Sequence, residues 1–319
     1  MSEARVVYVH GNGNKHRKEL LKSHWDRALF GTDMGPASRM AYWAPLRYDV
    51  PLPDPAPDPL DGGPPSEEEL PARTVAGPAE AFVAATVAEA RAASAEEGVP
   101  GADAAAEERL TEWLRDMTYL ADTMAGGEGQ GAGPGPGGGM PGGAADPLPE
   151  ALPLPAFARR EVFRLLVKHT FKDVHAYFFG GAGDAMRQVV RAELADLDGG
   201  PVAVVAHSLG SIIAYEVLRE LGRPTDLLVT VGCPLAITEI RDQLREPPAV
   251  PAGVSAWHNA SDLRDLVALD HTMRPDYAPV ELVTDHLVTN SSGNHHGIRE
   301  YLSTEPVRTP VRALFGHLA

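Results

Sequence analysis

Residues 201–218, PVAVVAHSLGSIIAYEVL, constrain the fold more than any other stretch of this 319-residue chain. An uninterrupted Val-rich run reads as a parallel strand buried on both faces. It breaks at Ala206-His207-Ser208-Leu209-Gly210, after which Ile212, Ile213, Tyr215, Glu216 and Val217 can continue as a helix. The order is strand, sharp turn, helix, with a serine at the apex. That is the setting of a nucleophile elbow, in which a tight turn lifts a serine Oγ clear of a sheet at the N-terminus of a helix. The usual G-x-S-x-G is A-x-S-x-G here. Ala206 is small enough to keep the close approach of strand and helix, and Gly210 supplies the other contact. The plainer reading of the same residues is a serine cap on an ordinary turn.

Composition bounds what such a turn can belong to. The length suits one large α/β domain with an insertion, or two domains. The balance of 28 Lys and Arg against 44 Asp and Glu gives a formal charge of -16. That charge repels nucleic acid and anionic membrane surfaces, so neither is an expected partner. The single cysteine, Cys233, excludes an internal disulfide and a cysteine-rich metal site. No charged and then apolar leader precedes the first strand, and no apolar run approaches the roughly 18 residues of a membrane span. The expectation is a soluble cytoplasmic protein with no integral membrane segment, its oligomeric state open.

Along the chain, strands are expected at 5–9, 39–43, 201–206, 226–231, 254–259 and 281–290, and helices at 15–30, 79–95, 157–172 and 185–197, with 173–179 as a connection. Between residues 50 and 155 the composition turns to Ala, Pro, Gly and Glu, with no run that suits a sheet strand. This is read as an insertion into a core made of 1–49 and 156–319. Within it Leu110, Trp113, Leu114, Met117, Ala121 and Met124 recur at helical intervals, and 126–144 is a Gly-rich stretch that cannot bury enough apolar surface to order itself. The two inserted helices are expected to form a cap over the strand ends. The fold class expected is α/β, with a mostly parallel sheet and helices on both faces, so that a site lies beyond the carboxyl ends of the strands. Ser208, Asn12, Gly232 and Asn259 are all expected there.

The segments VVYVHGNGN, YWAPLRYD, FKDVHAYFF, VAVVAHSLGS, LLVTVGCPL, WHNASDLRDLV and HHGIREYL, in this order, resemble the α/β-hydrolase superfamily, and more closely its lipase-like and esterase-like serine hydrolases. With the helices between them they span about two thirds of the chain. Ala206 in place of glycine, the lack of strands before Val6, and the insertion depart from that pattern.

The resemblance implies a serine nucleophile, an acid and a histidine in that chain order. A serine hydroxyl needs a base within reach, and the histidine needs a third group to orient it. Ser208 is the candidate nucleophile. Asp265 is preferred to Asp262 because it precedes a Leu-Val pair resembling the superfamily's acid loop; His296 is preferred to its neighbour His295 because His-Gly-Ile-Arg-Glu-Tyr-Leu resembles the histidine segment. The backbone amides of Leu209 and Asn12 are the expected oxyanion donors. Trp113 and Met117 would line an apolar roof over the substrate, unless their stripe only packs the insertion onto the core.

The crowding of His258, His271, His286, His295 and His296 raises a metal site, yet no H-E-x-x-H or ligand pair on one helix face occurs. Gly11-Asn12-Gly13 follows a strand as a dinucleotide fingerprint does, but His16 stands where the third glycine belongs. Neither metal nor cofactor is expected. The reading is a serine hydrolase acting on a small, ester or lipid-like, hydrophobic substrate through an acyl-enzyme. A thioesterase, peptidase or acyltransferase on the same triad, or a binding protein that kept the fold without turnover, are the alternatives.

Overall fold

A computed structural model describes residues 3–54, 56–63, 77–96, 103–127, 156–197 and 199–316. Six short strands form one sheet: β1 (Arg5–Val9), β2 (Ser38–Ala41), β3 (Val202–His207), β4 (Leu227–Val231), β5 (Trp257–Ser261) and β6 (Val283–Leu287). Every neighbouring pair is parallel, and the order is β2-β1-β3-β4-β5-β6. Parallel neighbours need crossovers, and those that lead up to β5 carry helices. Along the chain the helices are α1 (Lys18–Phe30), α2 (Ala79–Glu96), α3 (Ala104–Gly127), α4 (Ala156–Phe178), α5 (Gly183–Leu194), α6 (Leu209–Leu221), α7 (Thr238–Arg241), α8 (Ile298–Ser303) and α9 (Glu305–Leu314).

Alternation along the strands divides the core in two. Val7, Val9, Val204 and Ala206 face a large apolar cluster shared with α2 to α6, while Val6, Tyr8, Ala203 and Val205 face a second cluster shared with α1, α8 and α9. The protein is therefore of the α/β class, a parallel sheet between two helical layers. α1 shows how a helix earns its place: Leu21, Trp25 and Leu29 follow at intervals of four and are buried, and Gly31, left-handed at φ 83°, ends the helix.

The helix expected at 157–172 runs on to Phe178 as α4. Residues 173–179 are rich in aromatic and β-branched types, yet Phe163, Val167, Phe171 and Val174 are buried and Phe178 is packed against their cluster. That spacing continues one helical face across the expected boundary, and tertiary burial overrides the local β preference. The strand expected at 254–259 lies at Trp257–Ser261, so Asn259 is inside β5 and not at its end. There it is held across the sheet, accepting from Thr230 Oγ1 at 3.0 Å and donating to Asp285 Oδ1 at 3.2 Å. The remaining strand limits shift by a few residues, as at Ser38–Ala41 and Val283–Leu287. Of the Gly-rich stretch, 126 and 127 close α3 and the rest lies outside the described residues.

α2, α3 and α4 pack on one another, and α4 also meets α5 and α6. No described helix is long and apolar enough to cross a membrane. The chain leaves β1 toward β2 on one side and returns to β3 on the other. The loops after β1 and β3 therefore diverge, which opens a crevice at their carboxyl ends.

Candidate active site

Ser208 occupies the turn between β3 and α6 with φ 53° and ψ -130°. A non-glycine residue with positive φ costs of order 1–3 kcal/mol and persists only where its surroundings enforce it. Those surroundings are visible. A Cβ on Gly210 would lie 2.4 Å from the Val9 carbonyl oxygen and 2.5 Å from that of His10, so α6 starts almost in contact with the end of β1. The Ser208 side chain makes no capping bond to α6, which sets it apart from an ordinary N-cap serine. Leu209 is the first residue of α6, where backbone N–H groups lack intrahelical partners.

Asp265 and His296 are brought together. His296 Nδ1 lies 2.9 Å and 2.8 Å from the two Asp265 carboxylate oxygens, and both side chains are buried. Burial raises the Asp265 carboxyl, but the adjacent His296 ring and the hydrogen bonds received from His296, Tyr301 and Val267 N–H outweigh this and hold it below its ordinary value. Because a carboxylate only accepts, Nδ1 carries a proton, and in the neutral ring Nε2 is then the acceptor. Nε2 is buried and has no hydrogen-bond partner among the described residues. The ring stands next to the elbow: Ser208 N–H donates to Val231 O, and a Cβ on the following residue, Gly232, would lie 2.8 Å from His296 Cε1.

Asp262 and His295 are engaged elsewhere. The Asp262 carboxylate receives the Asn290 N–H at 2.6 Å and both backbone and side-chain N–H groups of Arg264, and His295 Nδ1 meets Asn290 O at 3.0 Å. Trp113 and Met117 are buried in the large apolar cluster with residues of α2 and α4.

The loop after β1 is fastened at every residue. His10 Nδ1 donates to Gly11 O, and its Nε2 accepts from the backbone of Trp43 and Ala44. Burial drives the His10 pKa down to about 3, so the ring is neutral. The Ser208 hydroxyl donates to Asn12 Oδ1 at 2.8 Å, Asn12 Nδ2 donates to Thr170 Oγ1 at 2.9 Å, and Gly13 N–H donates to Asp173 Oδ2 at 2.6 Å. Thr170 and Asp173 lie one turn apart on α4, so this helix grips the loop directly.

Several of these groups were not singled out from the sequence. Tyr301 donates to Asp265 Oδ2 at 2.7 Å and accepts from the Asp262 N–H at 3.0 Å; it sits in the HHGIREYL segment, a turn beyond His296. Asn294 accepts from His296 N–H and donates to Pro59 O and Leu60 O. The polar run NSSGN before the histidines was its only signal. His207 is buried, donates through Nε2 to His296 O, and is held well below its ordinary range first by burial and then by the adjacent His296 ring.

Segment 56–63 covers the group. Lys15 Nζ and Asp58 Oδ2 form a buried ion pair at 2.7 Å, and Leu60 packs with Leu166 and Val267. Ser208 and His296 are 0% exposed and Asp265 1%. The same segment forms one wall of a cleft of about 770 Å³ whose other side is α1 and α8, lined among others by Trp25, Arg27, Arg299 and Leu302. Among the described residues no group of three or more His, Cys, Asp or Glu is placed to share a metal ion. The chain matches no family profile, no curated protein and no solved structure.

Proposed function

We propose that this protein is a serine hydrolase of the α/β-hydrolase type that cleaves a carboxylic ester through an acyl-enzyme on Ser208. One observation carries the reading: a strained serine at the elbow next to a buried Asp265–His296 pair whose second nitrogen, Nε2, has no hydrogen-bond partner among the described residues. In the reaction Ser208 Oγ attacks the acyl carbon while its proton passes to His296 Nε2, and the carbonyl electrons move to the oxygen. The Leu209 and Asn12 amides hold that oxyanion. Its collapse expels the alcohol, which takes the proton from His296, and water repeats the sequence to release the acid. Asp265 keeps the tautomer and stabilises the imidazolium.

An apolar group against the loop after β1 supports an apolar acyl chain. Leu60, Leu166 and Val267 form a cluster against Gly13, where a Cβ would lie 2.0 Å from Leu60 Cδ1. The inserted helices α2 and α3 act as the cap, and substrate reaches the buried serine when segment 56–63 moves.

The test is labelling with a fluorophosphonate, read by intact mass, alongside turnover of p-nitrophenyl esters of rising chain length. One phosphonyl adduct and ester turnover are expected, both lost in Ser208→Ala. Labelling that survives the substitution, or a folded protein that neither labels nor turns over esters, overturns the assignment.

A further inference from the structure

The Ser208 hydroxyl is bonded to a partner that does not serve attack. Its hydrogen goes to Asn12 Oδ1 at 2.8 Å, while His296 Nε2 stays unmet among the described residues. A buried unsatisfied acceptor is costly. An arrangement that frees the Ser208 hydrogen to turn toward it, with the other bonds kept, is therefore accessible.

Asn12 supplies such an arrangement. Its amide lies between two hydroxyls, Ser208 Oγ and Thr170 Oγ1. A hydroxyl both gives and takes a hydrogen bond, and the two ends of an amide have nearly the same shape. Turning the amide end for end keeps both contacts: Thr170 donates to Oδ1, and Nδ2 donates to Ser208 Oγ. No covalent bond changes, and the serine keeps its hydrogen, which no longer points at Asn12 and is free to turn toward His296 Nε2.

We infer that the Asn12 side chain is a two-position switch on the nucleophile. One orientation holds the Ser208 hydrogen, the other presents Ser208 to His296, and Thr170 is bonded in both. The inference rests on the hydrolase reading of the same site. Asn12 is then a catalytic residue through its side chain as well as its backbone, and Thr170 is a positioning residue. Since Thr170 belongs to α4, the helix that also holds Gly13 through Asp173, the state of the nucleophile is tied to the seating of that helix.

The full-length protein tests this through four variants. Thr170→Val keeps the shape and removes the hydroxyl. The holding orientation then leaves a buried N–H without a partner, whereas the presenting one leaves only a carbonyl lone pair, the less costly orphan. Thr170→Val should raise kcat and the Ser208 labelling rate about two- to fivefold, with KM within about twofold, as the competent fraction grows. Thr170→Ser should return both to wild-type values.

Asn12→Asp accepts at both ends and holds the serine hydrogen permanently. It should lower kcat by about a hundredfold or more, and by more than Asn12→Ala does. If Asn12 only filled space, the isosteric aspartate would be the milder change, and Thr170→Val would lower kcat together with Tm. A wild-type protein that neither labels at Ser208 nor turns over esters removes the hydrolase reading and the switch with it. A wild type that does both, with Thr170→Val slower than wild type or Asn12→Asp milder than Asn12→Ala, overturns the switch alone.

Discussion

Gly11 and Ser208 stand so close that a Cβ on the glycine would lie 2.8 Å from Ser208 Cβ and 2.9 Å from His207 Nδ1. Neither neighbour is the free end of a flexible side chain. Gly11→Ala must therefore push β1 and β3 apart at their ends or displace the serine, an overpacking that typically costs about 1–3 kcal/mol. We expect a folded protein with a lower Tm and a Ser208 labelling rate reduced at least about tenfold, in line with the rate sensitivity to small misplacement. Wild-type labelling in Gly11→Ala would show that the elbow does not depend on this contact.

The two aspartates of the WHNASDLRDLV segment should separate cleanly. Asp265→Asn disturbs the tautomer of His296 and should lower kcat about a thousandfold or more with a small change in KM. Asp262→Asn leaves the His296 contact in place but weakens the bonds to Asn290 N–H and Arg264, so its effect should appear in Tm. Steady-state kinetics and thermal melts on the two variants decide this; equal losses of kcat would dismiss the distinction.

Stability should fall with acid earlier than carboxylates alone would cause. Burial holds folded His10 at about 3, and burial followed by the adjacent His296 ring holds His207 well below its ordinary range. Unfolded, each binds a proton near pH 6.5. Below about pH 6.5 the unfolded chain takes up protons that the folded chain refuses, which removes up to about 1.4 kcal/mol per pH unit for each group. Asp265 adds to this lower down, because a depressed carboxyl contributes above about 3.9 and loses that contribution as pH falls through its folded value. Denaturant titrations between pH 8 and 4.5 should show the slope begin below about 6.5, and His10→Gln should remove one proton's share of it. A flat profile across that range would contradict the buried neutral state of both rings.

What the sequence made legible was what lies close along the chain. β1 and β3 announce themselves as Val runs because both faces of a parallel strand are buried, and the turn at 206–210 carries its own glycine. The extent of α4 was not legible, since Val174, Tyr177 and Phe178 look like strand residues until the cluster they pack into is known. Tyr301, Thr170 and Asn294 act through partners far away in sequence, and nothing local distinguishes a tyrosine that holds a carboxylate from one that fills a core. The stripe through Trp113 and Met117 was readable as a stripe, but periodicity does not say which surface it faces, and here it lies within the apolar core.

The register that pairs Arg5 with Val202 has a consequence for how the protein is assembled. Every other pairing in the sheet joins strands that are near one another along the chain, so β1 with β2, and β3 through β6, are two blocks built from local crossovers. The seam between the blocks is the long-range step. Its entropic cost grows slowly, about 0.6 kcal/mol for each doubling of the loop, but non-local pairing is what slows folding. Gly11 and Asn12 stand on one side of that seam and Ser208, Asp265 and His296 on the other. On the hydrolase reading, the second block holds Ser208, Asp265 and His296 but lacks the Asn12 side of the site, so full reactivity at Ser208 requires that the two halves of the sheet have met. Regained labelling during refolding should thus report the closing of one seam, later than the recovery of helix and strand within each block.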